Sequence, residues 1–191
     1  MQVKILKKET LSKDWYKLYK YTFSQTDKLG QEIIQTREAY DRGNGATILL
    51  YNKEKRSVVL TRQFRLPTLV NGNETGMLIE TCAGLLDLEN PEDCIRRETE
   101  EETGYRIHQV RKVFDVYMSP GSVTEILYFF VGEYSSKLKV NEGGGRKDEF
   151  ENIEVLELDF DKAYGMIATG EIKDAKTIML LQYAKLENLF Q

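Results

Sequence analysis

Histidine, cysteine and clustered positive charge are all scarce in this chain. Its 191 residues include one histidine, His108, so catalysis by an imidazole is not expected. Ser119 and Ser122 have no histidine near them in the sequence, which removes the case for a serine nucleophile. There are two cysteines, Cys82 and Cys94, and the start Met1-Gln2-Val3-Lys4 lacks the apolar core of a signal peptide. Buried, reduced thiols in the cytoplasm are therefore expected rather than a disulfide. No apolar run is long enough to span a bilayer, so no membrane partner is expected. The net charge is −4 with the signs mixed along the chain, and no basic tract could track a phosphate backbone, so no nucleic-acid partner is expected either. Gly143-Gly144-Gly145 is not followed by Gly-Lys-Ser/Thr and is not a Walker loop. It reads instead as a mobile flap.

Hydrophobic residues make up 41% and charged residues 30%, the balance of a globular chain with a substantial core. Residues 1–45 read as a strand-rich opening, with an unusually aromatic strand from Trp15 to Phe23, a turn at Asp27 to Gly30 and a second strand from Gln31 to Tyr40. After a break at Arg42-Gly43-Asn44-Gly45, residues 46–191 read as a second region. Its expected strands are Ala46 to Tyr51, Ser57 to Phe64, Met77 to Ala83, Gln109 to Met118, Thr124 to Glu133 and Ile153 to Leu158. Helices are expected over Phe160 to Thr169 and Lys176 to Leu186. The best-marked helix precedes them, after the strand ending at Ala83, with Asn90 to cap it, Pro91 at its first position, Asp93 completing a capping-box-like pair and Gly104 to stop it. Strands mixed with a few helices point to an α/β or α+β sandwich.

That helix carries Arg97-Glu98-Thr99-Glu100-Glu101-Glu102-Thr103-Gly104-Tyr105. At 3.6 residues per turn, Cys94, Glu98, Glu101, Glu102 and Tyr105 share one broad face, and Ile95 sits at its edge. Glu100 points away, with Arg96 and Arg97 nearer its side. Carboxylates turned toward a core repel one another and resist desolvation. A hard divalent cation resolves both problems, and oxygen ligands of this kind suit Mg2+ or Mn2+. The bland alternative is a solvated acidic face.

Gly84 followed by this stretch resembles the Nudix box, a glycine, a glutamate and then R-E-U-x-E-E-x-G-U with U bulky and apolar. The R-E-x-x-E-E-x-G half is intact. Twelve residues separate Gly84 from Arg97, one fewer than in the general pattern, the first glutamate falls on Asn90 with Glu89 beside it, and Thr99 replaces the apolar residue. The wider chain is similar to the GDP-mannose hydrolase branch of the family, close to the ADP-sugar pyrophosphatases. Tyr40-Asp41-Arg42-Gly43-Asn44-Gly45-Ala46-Thr47, Arg62-Gln63-Phe64-Arg65, Val70-Asn71-Gly72-Asn73-Glu74, Ala83-Gly84-Leu85-Leu86-Asp87, Tyr117-Met118-Ser119-Pro120-Gly121 and Gly143-Gly144-Gly145 carry that likeness over nearly the whole chain.

The resemblance implies an α/β fold, the Nudix α/β/α sandwich with a mixed sheet and a small N-terminal β-domain. It implies Mg2+-dependent cleavage of a nucleotide-sugar pyrophosphate, foremost GDP-mannose to GMP and mannose 1-phosphate, and a homodimer formed through the N-terminal region. ADP-ribose or an ADP-sugar is the alternative substrate, and a non-catalytic nucleotide-sugar sensor the alternative of a different class. The implied metal ligands are Glu98, Glu102, Glu151 and the Ala83 carbonyl. Glu149 is the implied general base, and Glu101 a third box acid of catalytic or supporting role. Arg65 could pair with the diphosphate, and Glu125 and Lys176 contact substrate by their positions. Trp15 could stack on a purine or pack in a core or dimer interface, with Arg37 and Glu38 reading base or sugar edges.

Overall fold

The computed structural model describes residues 2–86, 88–146, 148 and 151–191. Two compact units emerge, Met1–Asn44 with Tyr117–Ile126, and Gly45–Val116 with Leu127–Gln191.

The first unit is built on three antiparallel strands, β1 (Val3–Lys13), β2 (Lys17–Thr26) and β3 (Glu32–Asp41), with β2 in the middle. Asp27 shapes the β2–β3 turn. Its carboxylate accepts from the Leu29 and Gln31 amides at 2.8 Å each, and Gly30 follows at φ +83°, a conformation glycine adopts without strain. Trp15 was expected within a strand. It lies instead in the bend between β1 and β2, where the chain reverses, and stacks edge-on against Tyr16 at 6.1 Å. The returning segment Tyr117–Ile126 joins this unit through Tyr40, whose amide donates to the Ser122 carbonyl at 2.7 Å and whose carbonyl accepts from the Thr124 amide at 3.0 Å. Val3, Ile5, Leu11 and Ile34 all stand exposed on the sheet.

The second unit is organised around β4 (Gly45–Asn52), flanked by β5 (Ser57–Phe64), β6 (Met77–Glu80), β7 (Cys82–Leu85), β8 (Arg111–Tyr117), β9 (Ile126–Glu133) and β10 (Glu154–Asp159). The sheet order is β10-β5-β4-β9-β8. β9 runs parallel to β4, and β5, β6, β7 and β10 pair antiparallel. β4 pairs with β5 only over Leu50–Asn52 and with β7 over Gly45–Ile48, so β5 leaves β4 partway along. β6 follows β5, β7 follows β4, and Thr81 is the step between them. A single strand from Met77 to Ala83 was expected, and the break has a physical cause. The Thr81 amide donates to Thr177 Oγ1 at 2.7 Å instead of joining a ladder.

Helices cover both faces. Ala46, Ile48 and Leu50 share one core cluster with Cys94 and Ile95 of α2 (Pro91–Thr103). The alternate face turns Thr47 to Thr81 (2.8 Å) and Tyr51 to Phe190 (5.9 Å), beside α3 (Phe160–Thr169) and α4 (Ala175–Leu186). Burial on both sides explains why β4 reads as an apolar run without alternation. A short helix, α1 (Leu66–Val70), was not expected. Pro67 opens it, and the Arg65 carbonyl accepts from the Thr68 and Leu69 amides. Among the described residues no helix is long and apolar enough to cross a membrane.

Candidate active site

α2 begins and ends as its sequence dictates. Asn90 Oδ1 accepts from the Glu92 and Asp93 amides at 3.1 and 3.0 Å, and its amide group also reaches the Asp93 carboxylate. Gly104 closes the helix at φ +80°. The glycine run after it is docked onto this same end rather than standing as a free flap. Gly143, Gly144 and Gly145 all adopt positive φ, and the amides of Gly144 and Gly145 donate to the Glu102 and Glu101 carbonyls at 2.9 and 3.1 Å. They satisfy carbonyls that the last helical turn leaves open. Gly144 and Gly145 are thereby held against the box, and Ile153 donates from its amide to the Gly144 carbonyl at 3.2 Å.

The box acids form a gradient of burial. Glu102 is 3% exposed, the Glu98 and Glu101 side chains are 15% and 29% exposed, and Glu100 turns outward to a two-point pair with Arg106. Glu98 reaches back over β7, where a methyl group on Gly84 would lie 2.1 Å from its Cδ. The glycine of the box is there because a carboxylate occupies the space a side chain would fill. Thr99, fully buried, holds the apolar position by returning its hydroxyl to the Ile95 carbonyl at 2.5 Å.

Arg97 does not point away with Glu100. Its guanidinium folds under the acids, 2.9 Å from Glu98, 2.9 Å from Glu101 and 3.0 Å from Glu89. Burial pulls its pKa down, but Glu89, Glu98 and Glu101 together hold it above its ordinary value. Glu89, one residue before the place where the pattern has its first glutamate, thus meets Arg97, while Asn90 is committed to the cap.

Electrostatics link the predicted ligands. Burial pushes the Glu98 pKa up to about 7. Arg97 opposes the rise, and Glu101 and Glu151 add to it. Burial pushes Glu102 up to about 8. The Cys82 thiol donates to this carboxylate and opposes the rise, Glu98 and Glu151 reinforce it, and Arg65 opposes it. Glu98, Glu101, Glu102, Glu151 and Arg65 therefore act on one another. Glu151 itself accepts from the Arg146 amide at 2.8 Å, close against Gly145. Ala83 lies half-buried in β7, one residue before Gly84. Glu149 falls outside the described residues.

The donor set fits a hard divalent cation. All the candidate donors are oxygens, and among the described residues Glu102 Oε2 is buried without a hydrogen-bond partner, which leaves it open to a ligand that is not protein. Among the described residues, no group of three or more His, Cys, Asp or Glu side chains converges closely enough to hold a metal ion.

Arg65 and Lys176 meet through a residue not singled out in the sequence. Glu80, 3% exposed, accepts from Arg65 Nε and from Lys176 Nζ at 2.8 Å each. Its only signal in the sequence was its place at the end of an apolar strand. Trp15, Arg37, Glu38 and Glu125 belong to the first unit. There Trp15 is 84% exposed, Arg37 bonds to Gln35 Oε1 at 2.9 Å, Glu38 faces Lys20 across the β2–β3 ladder, and Glu125 pairs with Arg42 at 3.5 Å. Cys82 and Cys94 are both buried and no disulfide joins them.

Known proteins place this arrangement in a family. The model of the NUDIX domain matches residues 41–181, and that of the GDP-mannose pyrophosphatase NudK N-terminal domain matches residues 2–40. A GDP-mannose pyrophosphatase of Yersinia enterocolitica is 58% identical over 193 residues, covering 100% of both chains. One from Shigella flexneri and one from Escherichia coli O157:H7 are each 56% identical over 188 residues, 98% of this chain and 97% of theirs. With the box acids, the glycine beneath Glu98 and these full-length matches in hand, the chain belongs to the Nudix family of hydrolases.

Proposed function

We propose that this enzyme hydrolyses the pyrophosphate bond of GDP-mannose, giving GMP and mannose 1-phosphate, with Mg2+ as its preferred ion and Mn2+ as a substitute. The full-length identity of 56–58% to GDP-mannose pyrophosphatases supports the substrate. The observation that carries the chemistry is the buried Oε2 of Glu102, unpartnered among the described residues, beside Glu98, in a box that retains Glu98, Glu101 and Glu102. A non-catalytic sensor would have no use for so costly a cluster.

Glu98, Glu102, Glu151 and the Ala83 carbonyl would hold the ion. When bound, it neutralises phosphate charge and lowers the pKa of a water. The chain's own groups do the rest. Arg65 presents its guanidinium to the diphosphate. Arg97 lies between Glu98 and Glu101 and opposes the rise that burial imposes on Glu98. A carboxylate must take the proton of the attacking water, and the family resemblance makes Glu149 the candidate by its place in the sequence, with Glu101 as the box acid beside it in catalytic or supporting role. Trp15, Arg37, Glu38 and Glu125 are assigned to the nucleoside and sugar, and Lys176 to the diphosphate end. The reading carries with it a cytoplasmic homodimer joined through residues 1–45, with residues 46–191 as the hydrolase domain. The exposed Val3, Ile5, Leu11 and Ile34 support such a contact, since apolar side chains on an open sheet gain from a covering surface.

The test is phosphate release in a phosphatase-coupled assay with Mg2+, comparing GDP-mannose, ADP-ribose, ADP-glucose and UDP-glucose. The expected order puts GDP-mannose first. ADP-ribose first would keep the box chemistry and overturn the substrate, and no turnover of any would favour the sensor.

A further inference from the structure

Glu80 has no role in the chemistry described so far, yet it is one of the most thoroughly anchored carboxylates in the chain. It closes β6, pairs in register with Thr61, and its carbonyl accepts from Thr61 Oγ1 at 3.3 Å. Its two carboxylate oxygens are divided between two cations, Oε2 to Arg65 Nε and Oε1 to Lys176 Nζ, each at 2.8 Å. Lys176 is in turn 2.9 Å from Asp174, which caps α4 through the Thr177 amide at 2.9 Å. Thr177 also receives the Thr81 amide, so the strand that carries Glu80 and the helix that carries Lys176 are tied together one residue further on.

The asymmetry lies at Arg65. Glu80 and Lys176 have side chains 5% and 9% exposed, whereas that of Arg65 is 38% exposed. Lys176 already has Asp174 as a counter-ion, so Glu80 is not needed to neutralise it alone. Arg65 is gripped only at Nε, and among the described residues neither Nη1 nor Nη2 makes a hydrogen bond. The two Nη groups are the fork that matches two phosphate oxygens, and a long flexible side chain held at Nε gives up less freedom when the fork engages. The guanidinium also lies within the electrostatic reach of Glu102.

We propose that Glu80 is a positioning residue. It holds Arg65 by Nε so that Nη1 and Nη2 meet the diphosphate of the bound nucleotide, and Lys176 holds Glu80 in place. This inference rests on the reading of the site as one for a nucleoside diphosphate group.

The experiment is a double-variant cycle read by calorimetric binding of GDP with Mg2+, using Glu80→Gln, Arg65→Ala and the double variant. Glu80→Gln is expected to weaken GDP binding about tenfold, the order of one charge-assisted hydrogen bond, and to add nothing once Arg65 is gone. An equal loss with and without Arg65 would overturn the proposal, because Glu80 would then act on the fold at large. Should Glu80→Gln fail to fold, Glu80→Asp keeps a charge beside Lys176 but withdraws it from Arg65. Weakened GDP binding at an unchanged unfolding temperature supports the proposal, and full affinity overturns it. Turnover of GDP-mannose by the unaltered enzyme is measured alongside. Its absence would sink the proposed activity and leave the GDP cycle readable, whereas turnover with an additive cycle would sink only the role of Glu80.

Discussion

The Glu98 carboxylate lies across the Cα of Gly84, where an added Cβ would come within 2.1 Å of Cδ and 2.2 Å of Oε1. The atoms in the way are the far end of a flexible side chain, so the collision is relieved by moving Glu98 rather than the backbone. Gly84→Ala should therefore cost little stability and much activity. The expected outcome is an unfolding temperature within a few degrees of the parent and turnover lowered by about two orders of magnitude, a loss comparable to misplacing one electrostatic group at a reacting centre. A large drop in unfolding temperature would show that the glycine serves the backbone instead.

Glu102→Gln removes the charge and keeps the shape. Its carboxylate is buried, with Oε2 unpartnered among the described residues, so the amide is tolerated by the fold while the anionic donor is lost. Turnover should fall by on the order of a hundredfold or more, with circular dichroism unchanged. Near-normal activity would remove Glu102 from the proposed ion site.

Both box acids also set a pH dependence with a definite sign. Burial raises the folded-state pKa of Glu98 to about 7 and of Glu102 to about 8, above the ordinary value of 4.5. A raised carboxylate means that the folded chain binds protons more tightly than the unfolded one, so stability is full below the ordinary value and is lost as pH rises through the folded value. Metal-free protein should therefore lose thermal stability between about pH 5 and pH 8. Glu102→Gln should flatten much of that slope, and Mg2+ should restore stability most at the alkaline end, where it competes with fewer protons. A melting temperature independent of pH in the metal-free protein would contradict this account.

What the sequence disclosed and what it concealed divide along local and non-local causes. The ends of α2 were legible because Asn90, Pro91 and Gly104 act on their own neighbours. The inward acids were legible because helical spacing alone puts Glu98, Glu101 and Glu102 on one side. The break at Thr81 was not, since it depends on a hydroxyl from Thr177, far along the chain. Arg97 was misjudged for a related reason. Periodicity fixes where a Cα lies, but a long side chain can fold back under its own helix to reach Glu89 and Glu101. Glu80 looked like the polar end of a strand until the fold brought Arg65 and Lys176 to it.

Glu89 offers a test of that lesson. It stands one residue before the position where the box places a glutamate, and it meets Arg97 at 3.0 Å. If it supplies the missing support, Glu89→Gln should leave Arg97 less constrained and allow Glu98 and Glu101 to drift. Turnover should fall about tenfold, the scale of losses when a group orienting a metal ligand is removed, and higher Mg2+ should recover part of it. Asn90→Ala should behave differently. It should lower stability by about 1 kcal/mol through loss of the helix cap, with turnover nearly intact. Interchanged outcomes would return the supporting role to Asn90.

Trp15 is the last discriminating residue, and it is the only tryptophan in the chain. At 84% exposure it is far more open than a packing residue of this unit would be, and among the described residues only Tyr16 stacks against it. A wet indole next to a tyrosine is suited either to a purine or to a second copy of the chain. Its intrinsic fluorescence separates the two. Stacking on guanine should quench the emission on titration with GDP at fixed protein concentration, and Trp15→Ala should raise KM several-fold while leaving kcat and the unfolding temperature near the parent values. An interface role should instead make the emission shift with protein dilution and leave it unmoved by nucleotide. Quenching by GDP would assign Trp15 to base recognition, and a dilution-dependent spectrum would assign it to assembly.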